Sequence, residues 1–430
     1  MLDLLIIGGG IHGTYLSNAL STRMGVSDLA VIDPYERPLT LWRRHTRACG
    51  MQYLRSPAAH NLDVSFNALR DYAARQGWDA HSSFVPPYAR PLLDLFNAHA
   101  DSVINANGLD RLRMPGTVDD ITLHDHHVEV RSGKQSLRAR HVLLSVGRGE
   151  SLCVPQWADA VDPSGEVARH LFDPRFDRDR FADAERRVIV GAGASGVQLA
   201  LFAVERTRSP LTVISEQPLQ VRRFDSDPCY IGPRCAKQFL HEPDYAQRRA
   251  MITAARAPGS IPEDVAERLA DYQARGLIHV LVDRVNRARR MSPGENRSAG
   301  SLGSLTLSLA SGKEVGADTV ALATGFAPGT PAGTLVQRLA ERYRLRRAAD
   351  GFPVPDSFLR WHERLFVSGA LAELELGPFA PNIIGAIAAA KRLGAYFLQS
   401  GPPTELHGQP LSRVWRRQRT HTGSSSARRD

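Results

Sequence analysis

The chain is poor in cysteine: four in 430 residues, Cys49, Cys153, Cys229 and Cys235, with no Cys-x-x-Cys pair among them. That argues against a disulfide reductase, and the four thiols are expected to act as small buried hydrophobes. No apolar run reaches membrane-spanning length, so no membrane partner is expected. Met1 leads almost directly into a hydrophobic strand with no basic segment or cleavage site, which predicts a cytoplasmic protein rather than an exported one. No metal centre is expected either. Alternation along a strand puts His124 and His126 on one face, apart from His127, without an evident third ligand.

The formal charge of +9 invites a nucleic-acid reading, but its position argues against one. From Thr404 onward Arg413, Arg416, Arg417, Arg419, Arg428 and Arg429 stand against Glu405 and Asp430, a net +4 in a segment rich in Ser, Thr, Gln and Pro. Residues 403–430 therefore read as a disordered basic tail, and no nucleic-acid partner is expected.

What the chain does contain is one pattern written twice. Its first copy is LLIIGGGIHG (Leu4 to Gly13), RSGK (Arg131 to Lys134) and HVLLSVG (His141 to Gly147). Its second is RVIVGAGASG (Arg187 to Gly196), ASGK (Ala310 to Lys313) and TVALATG (Thr319 to Gly325). Each is a strand, a Gly-x-Gly-x-x-Gly loop opening a helix, a hairpin, and a second strand ending before Gly. In such a loop the first glycine (Gly8, Gly191) allows the tight turn, and the second (Gly10, Gly193) lets backbone approach a pyrophosphate. The third (Gly13, Gly196) packs helix on strand, and Ser195 lies within the second loop. The helix N-terminus offers free N–H groups and partial positive charge to the anion. Asp33 ends the strand LAVID, twenty residues beyond Gly13, where a carboxylate would hold a ribose. Two dinucleotide sites on one chain imply electron transfer between two bound cofactors.

The fold expected is α/β, with two Rossmann-like dinucleotide-binding domains, the second inserted in the first. The boundaries read as residues 1–165, then 185–323, then a return to the first domain over 324–402. DVSFNALRDYAARQG (Asp63 to Gly77) reads as an amphipathic helix, and another follows the prolines of FVPPYARPLLDLFNAHADSV. Near the end, LFVSGALAELELGPFAPNIIGAIAAAKRLGAYF passes Gly377 and Pro378 into a helix of small residues. Such a helix either packs tightly in a core or brings its positive N-terminus to a flavin ring.

Three segments carry a resemblance. DTVALATGFAPGTP (Asp318 to Pro331) has the spacing of a signature in which Tyr is usual where Phe326 stands, and WRRHTRACGMQYLRSPAAHN (Trp42 to Asn61) and FVPPYARPLLDLFNAHA supply the others. The chain resembles the two-dinucleotide-binding-domain flavoprotein monooxygenases, and among them the lysine and ornithine N-hydroxylases of siderophore biosynthesis. The resemblance implies FAD in the first domain and NADPH, with NADH possible, in the second. It further implies a C4a-hydroperoxyflavin, O2 as co-substrate, and an amine as the small-molecule partner; a homo-oligomer is left open. An amine nucleophile must be neutral, and desolvation and nearby Arg charges lower its pKa, so a basic, closed pocket is expected.

The resemblance also places site residues. Gln52 and Arg55 are the catalytic candidates, Arg55 standing either for the group's carboxylate-gripping Lys or for a later Arg. Trp42 walls the flavin or fills a core, Gln52 meets the flavin or nicotinamide or lies on the surface, and Pro378 borders the flavin. Tyr53, Asp227 and Tyr230 are substrate candidates, although the run Asp225 to Pro228 also reads as turn chemistry. Ile231 falls where the group has a substrate-contacting Asn. It cannot form that hydrogen bond, so free ornithine or lysine bound in the usual way is not expected. Glu216, twenty residues past Gly196, suits the free ribose of NAD, whereas Arg222 and Arg223 could clamp the 2′-phosphate of NADP. Alternatives remain in an NAD(P)H-dependent flavin oxidoreductase, a sulfur or ketone oxygenase, and a non-catalytic redox sensor or partner subunit. The Phe-x-Gly-x-x-x-His fingerprint of the ketone oxygenases is missing from VARHLFDPRFD, where only His170 is suggestive.

Overall fold

The computed structural model describes residues 1–148, 151–291 and 304–400; the expected basic tail lies outside them. The strand Leu2–Ile7 is buried from Leu4 to Ile7, the apolar run of a strand covered on both faces. It pairs in parallel with Leu29–Asp33 on one side and Gln135–Leu144 on the other, setting Ile7 opposite both Ile32 and Leu144. Arg113–Pro115 extends the sheet beyond Leu29–Asp33. On the far side Leu365–Val367 joins Gln135–Leu144 in parallel, Val367 opposite Leu144. The chain after Gly325 therefore returns to the first sheet.

The second sheet is wholly parallel, in the order Ile278–Val282, Leu211–Ser215, Arg187–Val190, Thr319–Leu322, Ala168–His170. Its edge strand Ala168–His170 lies upstream of residue 185, so this unit starts earlier than the charged linker suggested. A three-stranded antiparallel sheet, Val285–Arg290, Leu305–Leu309 and Glu314–Ala317, carries the second hairpin. Among the described residues no helix is long and apolar enough to cross a membrane.

Two local expectations are corrected. The helix read from Asp63 spans only Ala68–Arg75, because the Asp63 carboxylate accepts from Ser65 N (2.8 Å) and spends those residues in a turn. The cysteines are not all free hydrophobes: Cys229 and Cys235 form a disulfide, their Cα atoms 5.5 Å apart across one turn, while Cys49 is buried and Cys153 half-buried.

Burial sets an acid limit on this fold. His12 and His99 are both buried, and desolvation holds each imidazole down at about 4. Between that value and the ordinary 6.5 the unfolded chain binds more protons, so stability is complete above about pH 6.5 and is lost as pH falls toward 4. His12 alone accounts for up to about 3 kcal/mol of this. We expect the melting temperature to drop steeply between pH 7 and 4.5. His99→Phe, whose ring would keep the contact with Tyr72, should flatten that profile, and an unchanged slope would contradict the assignment.

Candidate active site

The first glycine loop is built as its pattern requires. Gly8 adopts φ +105°, and a Cβ there would lie 2.6 Å from Ser145 O. Gly13 packs so closely that a Cβ would meet Gly8 O at 1.8 Å, whereas a Cβ on Gly10 would have no atom within 4 Å. That open cradle before the helix Ile11–Arg23, with no acid in its first turn, suits a pyrophosphate. Asp33 Oδ2 accepts from Gly9 N (2.5 Å), and Oδ1 from Tyr35 N (3.0 Å) and Arg113 Nη2 (3.1 Å). A carboxylate has about four lone-pair positions, so Oδ2 retains capacity for a ribose hydroxyl. Ser145 Oγ, beside Gly8, is buried without a partner among the described residues. These features fit FAD. His12, inside the loop, bonds Ser368 Oγ (2.9 Å) and Asn382 O (3.1 Å), tying the loop to the returning segment.

The second loop shares the turn and the close packing: Gly191 has φ +109°, and a Cβ on Gly196 would lie 2.1 Å from Gly191 O. Its cradle differs. A Cβ on Gly193 would meet Gly259 Cα at 3.3 Å, so the exposed Gly259 turn must shift for a pyrophosphate to approach as closely as at Gly10. Ser195 borders a narrow cleft of about 80 Å³ together with Gln52, Tyr53 and Arg55. Gln52 donates to Glu205 Oε2 (3.3 Å), and Tyr53 donates its hydroxyl to Ser82 O (2.8 Å).

A wider cleft, about 570 Å³, opens next to the first loop. Ile11, Trp42, Met51 and Arg55 form one wall. The other comes from the inserted unit, with Phe224, Asp225, Pro228 and Ile231, and the start of the helix Ile383–Ser400 closes it. Trp42 borders this space on one side and packs on Phe96 at 5.9 Å on the other. Arg55 also borders it but is largely committed: Nε donates to Arg223 O (3.2 Å), Nη1 to Ser260 O (3.0 Å), and Nη2 to Arg222 O (2.5 Å) and Ser260 Oγ (3.0 Å). With four of its five N–H donors on the inserted unit, it clamps two segments together and cannot fork onto a carboxylate.

The remaining predicted residues are dispersed. Asp227 accepts from Cys229 N (2.9 Å) and caps the turn Pro228–Ile231, the turn chemistry its sequence allowed. Tyr230 packs on Phe239 at 6.3 Å, and neither it, Tyr53 nor Asp227 lines the wide cleft. Phe379 and Pro381 border it where Pro378 was expected. Gly377 (φ +83°) turns the chain, and Pro378 O instead accepts from Arg256 (3.2 Å). Arg223 pairs with Glu263 (3.2 Å), and Arg222 donates to Val221 O (3.1 Å). Tyr88, Phe224, His60 and Asn382 line the cleft without having been singled out, since each sits alone in a loop or helix start with no spacing to mark it. Asp225 accepts from Asn382 Nδ2 (3.2 Å), linking the two units across the cleft.

The histidine group also differs from expectation. His124 N bonds His127 O (2.9 Å), closing a turn that brings His127, not His126, onto His124, with the rings 4.5 Å apart. Their ligand atoms and that of Glu129 lie within 4.8 Å of one another, with Arg138 and Arg364 nearby to oppose a cation.

No family model matches the chain, and no curated protein does. Solved structures share its architecture. The FAD-bound cadaverine monooxygenase of desferrioxamine biosynthesis from Erwinia amylovora superimposes with a TM-score of 0.69 at 16% identity, over 94% of this chain and 95% of that one. L-lysine 6-monooxygenase from Pseudomonas syringae gives 0.67 at 17%, over 94% and 100%. The ornithine N-hydroxylase of Kutzneria, solved with reduced FAD, NADP+ and L-ornithine, gives 0.69 at 15%, over 93% and 99%. The chain has the fold of the two-dinucleotide-binding flavoproteins, to which these three structures belong.

Proposed function

We propose that this protein is a FAD- and NAD(P)H-dependent monooxygenase that N-hydroxylates a small amine with O2, in a siderophore-building role. FAD sits at the first loop and the nicotinamide dinucleotide at the second. One observation carries the reading: the wide cleft begins at Ile11, directly beyond the open cradle at Gly10, and is walled by both units. A cofactor held at the first loop and an organic substrate can therefore share one enclosure.

FAD, when bound, supplies the oxygen-activating chemistry. The protein's part is to orient, desolvate and exclude water. The apolar wall of Trp42, Phe224, Ile231 and Phe379 disfavours an ammonium, whereas the Asp225 carboxylate on the same cleft, which accepts from Asn382 Nδ2 (3.2 Å), favours one, so the amine is neutral only where it sits against the apolar wall. His60 on the same wall is held at about 4 by burial and adds no charge at neutral pH. The start of the helix Ile383–Ser400 presents its positive end to the cleft, where it favours an anionic reduced flavin.

The test is rapid mixing of FAD-loaded, NAD(P)H-reduced protein with oxygen across an amine panel. The expected result is a hydroxylamine product, with flavin reoxidation accelerated by the productive amine. Stoichiometric hydrogen peroxide with every amine, and no hydroxylamine, would leave only a flavin oxidoreductase.

A further inference from the structure

The Cys229–Cys235 disulfide ties down one wall of the wide cleft, and we infer that this pair positions the amine substrate, so that its reduction to two thiols loosens substrate binding and uncouples the reaction. Its bearing on substrate rests on the proposed function, whereas its bearing on the wall does not.

Pro228, Ile231 and Gly232 line the cleft and belong to one short stretch of chain whose two ends are fixed. Upstream, Asp227 N bonds Ala255 O (2.8 Å) and Ala257 N bonds Asp225 O (2.9 Å), fastening it to the end of the helix Tyr245–Ala255 and the residues just beyond. Downstream, the helix Pro233–His241 buries Phe239 in a cluster with Ile252, Phe352, Val354 and Leu374. Between these anchors the hydrogen bonds are local. Cys229 N bonds Asp227 Oδ1 (2.9 Å), Tyr230 N bonds Asp227 O (3.2 Å), and Gly232 N bonds Cys229 O (3.0 Å). Ala236 N reaches Gly232 O at 3.4 Å. Pro228 and Pro233 bracket the stretch and have no N–H to donate. Such bonds shape the turn Pro228–Ile231 without fastening it to more distant parts of the molecule.

Two side-chain contacts join the turn to the anchored helix. Tyr230 packs edge-on against Phe239, ring centroids 6.3 Å apart, and the disulfide spans Gly232, with its Cα atoms 5.5 Å apart. The covalent link closes residues 229–235 into a ring that contains Ile231 and Gly232. Ring closure removes freedom that the open chain has, so the turn cannot swing about Gly232 while the helix stays seated. Both cysteines are half-buried, within reach of a dithiol. In the exchange two electrons and two protons pass from the dithiol to the pair. The Cys229–Cys235 bond breaks, two S–H groups form, and the reductant closes to its own disulfide. The wall then gains freedom where an amine must be seated against apolar surface and water kept out. Turnover needs a higher amine concentration, and more of the hydride of NAD(P)H, with one proton, ends on O2 as hydrogen peroxide.

The experiment uses the FAD-loaded full chain, either air-oxidised or treated with dithiothreitol and desalted without oxygen. Thiol titration of the unfolded chain should count two free thiols before treatment, Cys49 and Cys153, and four after it. Hydrogen exchange reads the wall without any substrate: the amides of Cys229 to Gly232 should exchange about tenfold or more faster in the dithiol form, while that of Phe239 keeps its protection. In amine turnover the dithiol form should show KM about fivefold higher, kcat for NAD(P)H oxidation within about twofold, and a larger share of oxygen recovered as peroxide. Cys235→Ser should match the dithiol form and ignore dithiothreitol. Four free thiols in the air-oxidised protein, exchange unchanged by reduction, or exchange accelerated equally at Phe239 would each overturn the hold on the wall. An unmoved KM and peroxide share, with only the melting temperature falling, would overturn the positioning role and leave a structural crosslink. No hydroxylamine from any amine in the oxidised form would remove the substrate part together with the proposed function, and the thiol count and exchange would still decide the wall.

Discussion

Gly10→Ala should leave a folded protein that no longer holds its flavin, whereas Gly13→Ala should damage the fold itself. The two glycines lie three residues apart in one loop, but a Cβ on Gly10 projects into open space and one on Gly13 lands 1.8 Å from a main-chain oxygen. Gly10 has φ −74°, which alanine adopts freely, so the cost to the apoprotein is the weaker helix cap, about 1 kcal/mol or less. Pyrophosphate contact is a different matter. The new methyl group occupies the approach and pushes the phosphates off the loop N–H groups. Losing one or two charge-assisted hydrogen bonds, about 3 kcal/mol together, corresponds to roughly 100-fold weaker FAD binding. Flavin fluorescence quenching during titration of apoprotein reads the affinity, and circular dichroism reads the fold. Full FAD affinity in Gly10→Ala would remove the first loop as the flavin site. Gly13→Ala forces helix and strand apart, an overpacking loss of about 3 kcal/mol or more, and should lower the melting temperature even without flavin.

Glu373→Ala should be the most destabilising single exchange outside the glycine loops. The Glu373 side chain is fully buried and gathers three arginines: Arg249, Arg256 at 2.5 Å and Arg148 at 3.5 Å. Arg148 follows the strand Gln135–Leu144 of the first sheet, and Arg249 and Arg256 lie in and just beyond the helix Tyr245–Ala255 of the inserted unit. The carboxylate thus joins the two units at one point. Removing it leaves guanidinium groups facing one another without their anion, a loss of about 3–5 kcal/mol for a buried ion pair broken on one side. Asp350 pairs only with Arg249 and cannot replace it for the others. Glu373→Gln keeps the shape and some acceptor capacity and should lose less. The urea midpoint and the rate of limited proteolysis between the units measure both variants. A loss under about 1 kcal/mol in Glu373→Ala would mean that the arginines find other partners.

The parts of this molecule that the linear pattern marks are those made by residues close along the chain. Gly8, Gly10 and Gly13, with their strand before and helix after, define a backbone shape needing no distant partner. The two loops, each with its strand before and helix after, were legible for that reason. Burial and turn chemistry were partly legible. Asp227 caps a turn as its neighbours suggested, but the Asp63 turn shortened a helix and the Cys229–Cys235 pair was not foreseen.

The wide cleft was legible only in part: the resemblance marked Trp42, Arg55 and Ile231 on its wall, but that wall is assembled from loops more than a hundred residues apart. Tyr88, Phe224, His60 and Asn382 meet there through the docking of one unit on the other, and no spacing along the chain records it. Arg55 shows the same limit: its residue type suggested a substrate clamp, while tertiary contacts spend four of its donors on the carbonyls and hydroxyl of the inserted unit. At the end of the strand Leu211–Ser215, counting pairs Glu216 with Asp33, whereas register pairs Ser215 with it, since Gly8 N bonds Ile32 O and Gly191 N bonds Ile214 O. Short-range backbone geometry determined from sequence alone that this chain carries two dinucleotide loops on two sheets. Which side chains face the cleft, and which charges remain free there, was decided by long-range packing, since burial and hydrogen-bond saturation depend on neighbours that only the folded chain supplies.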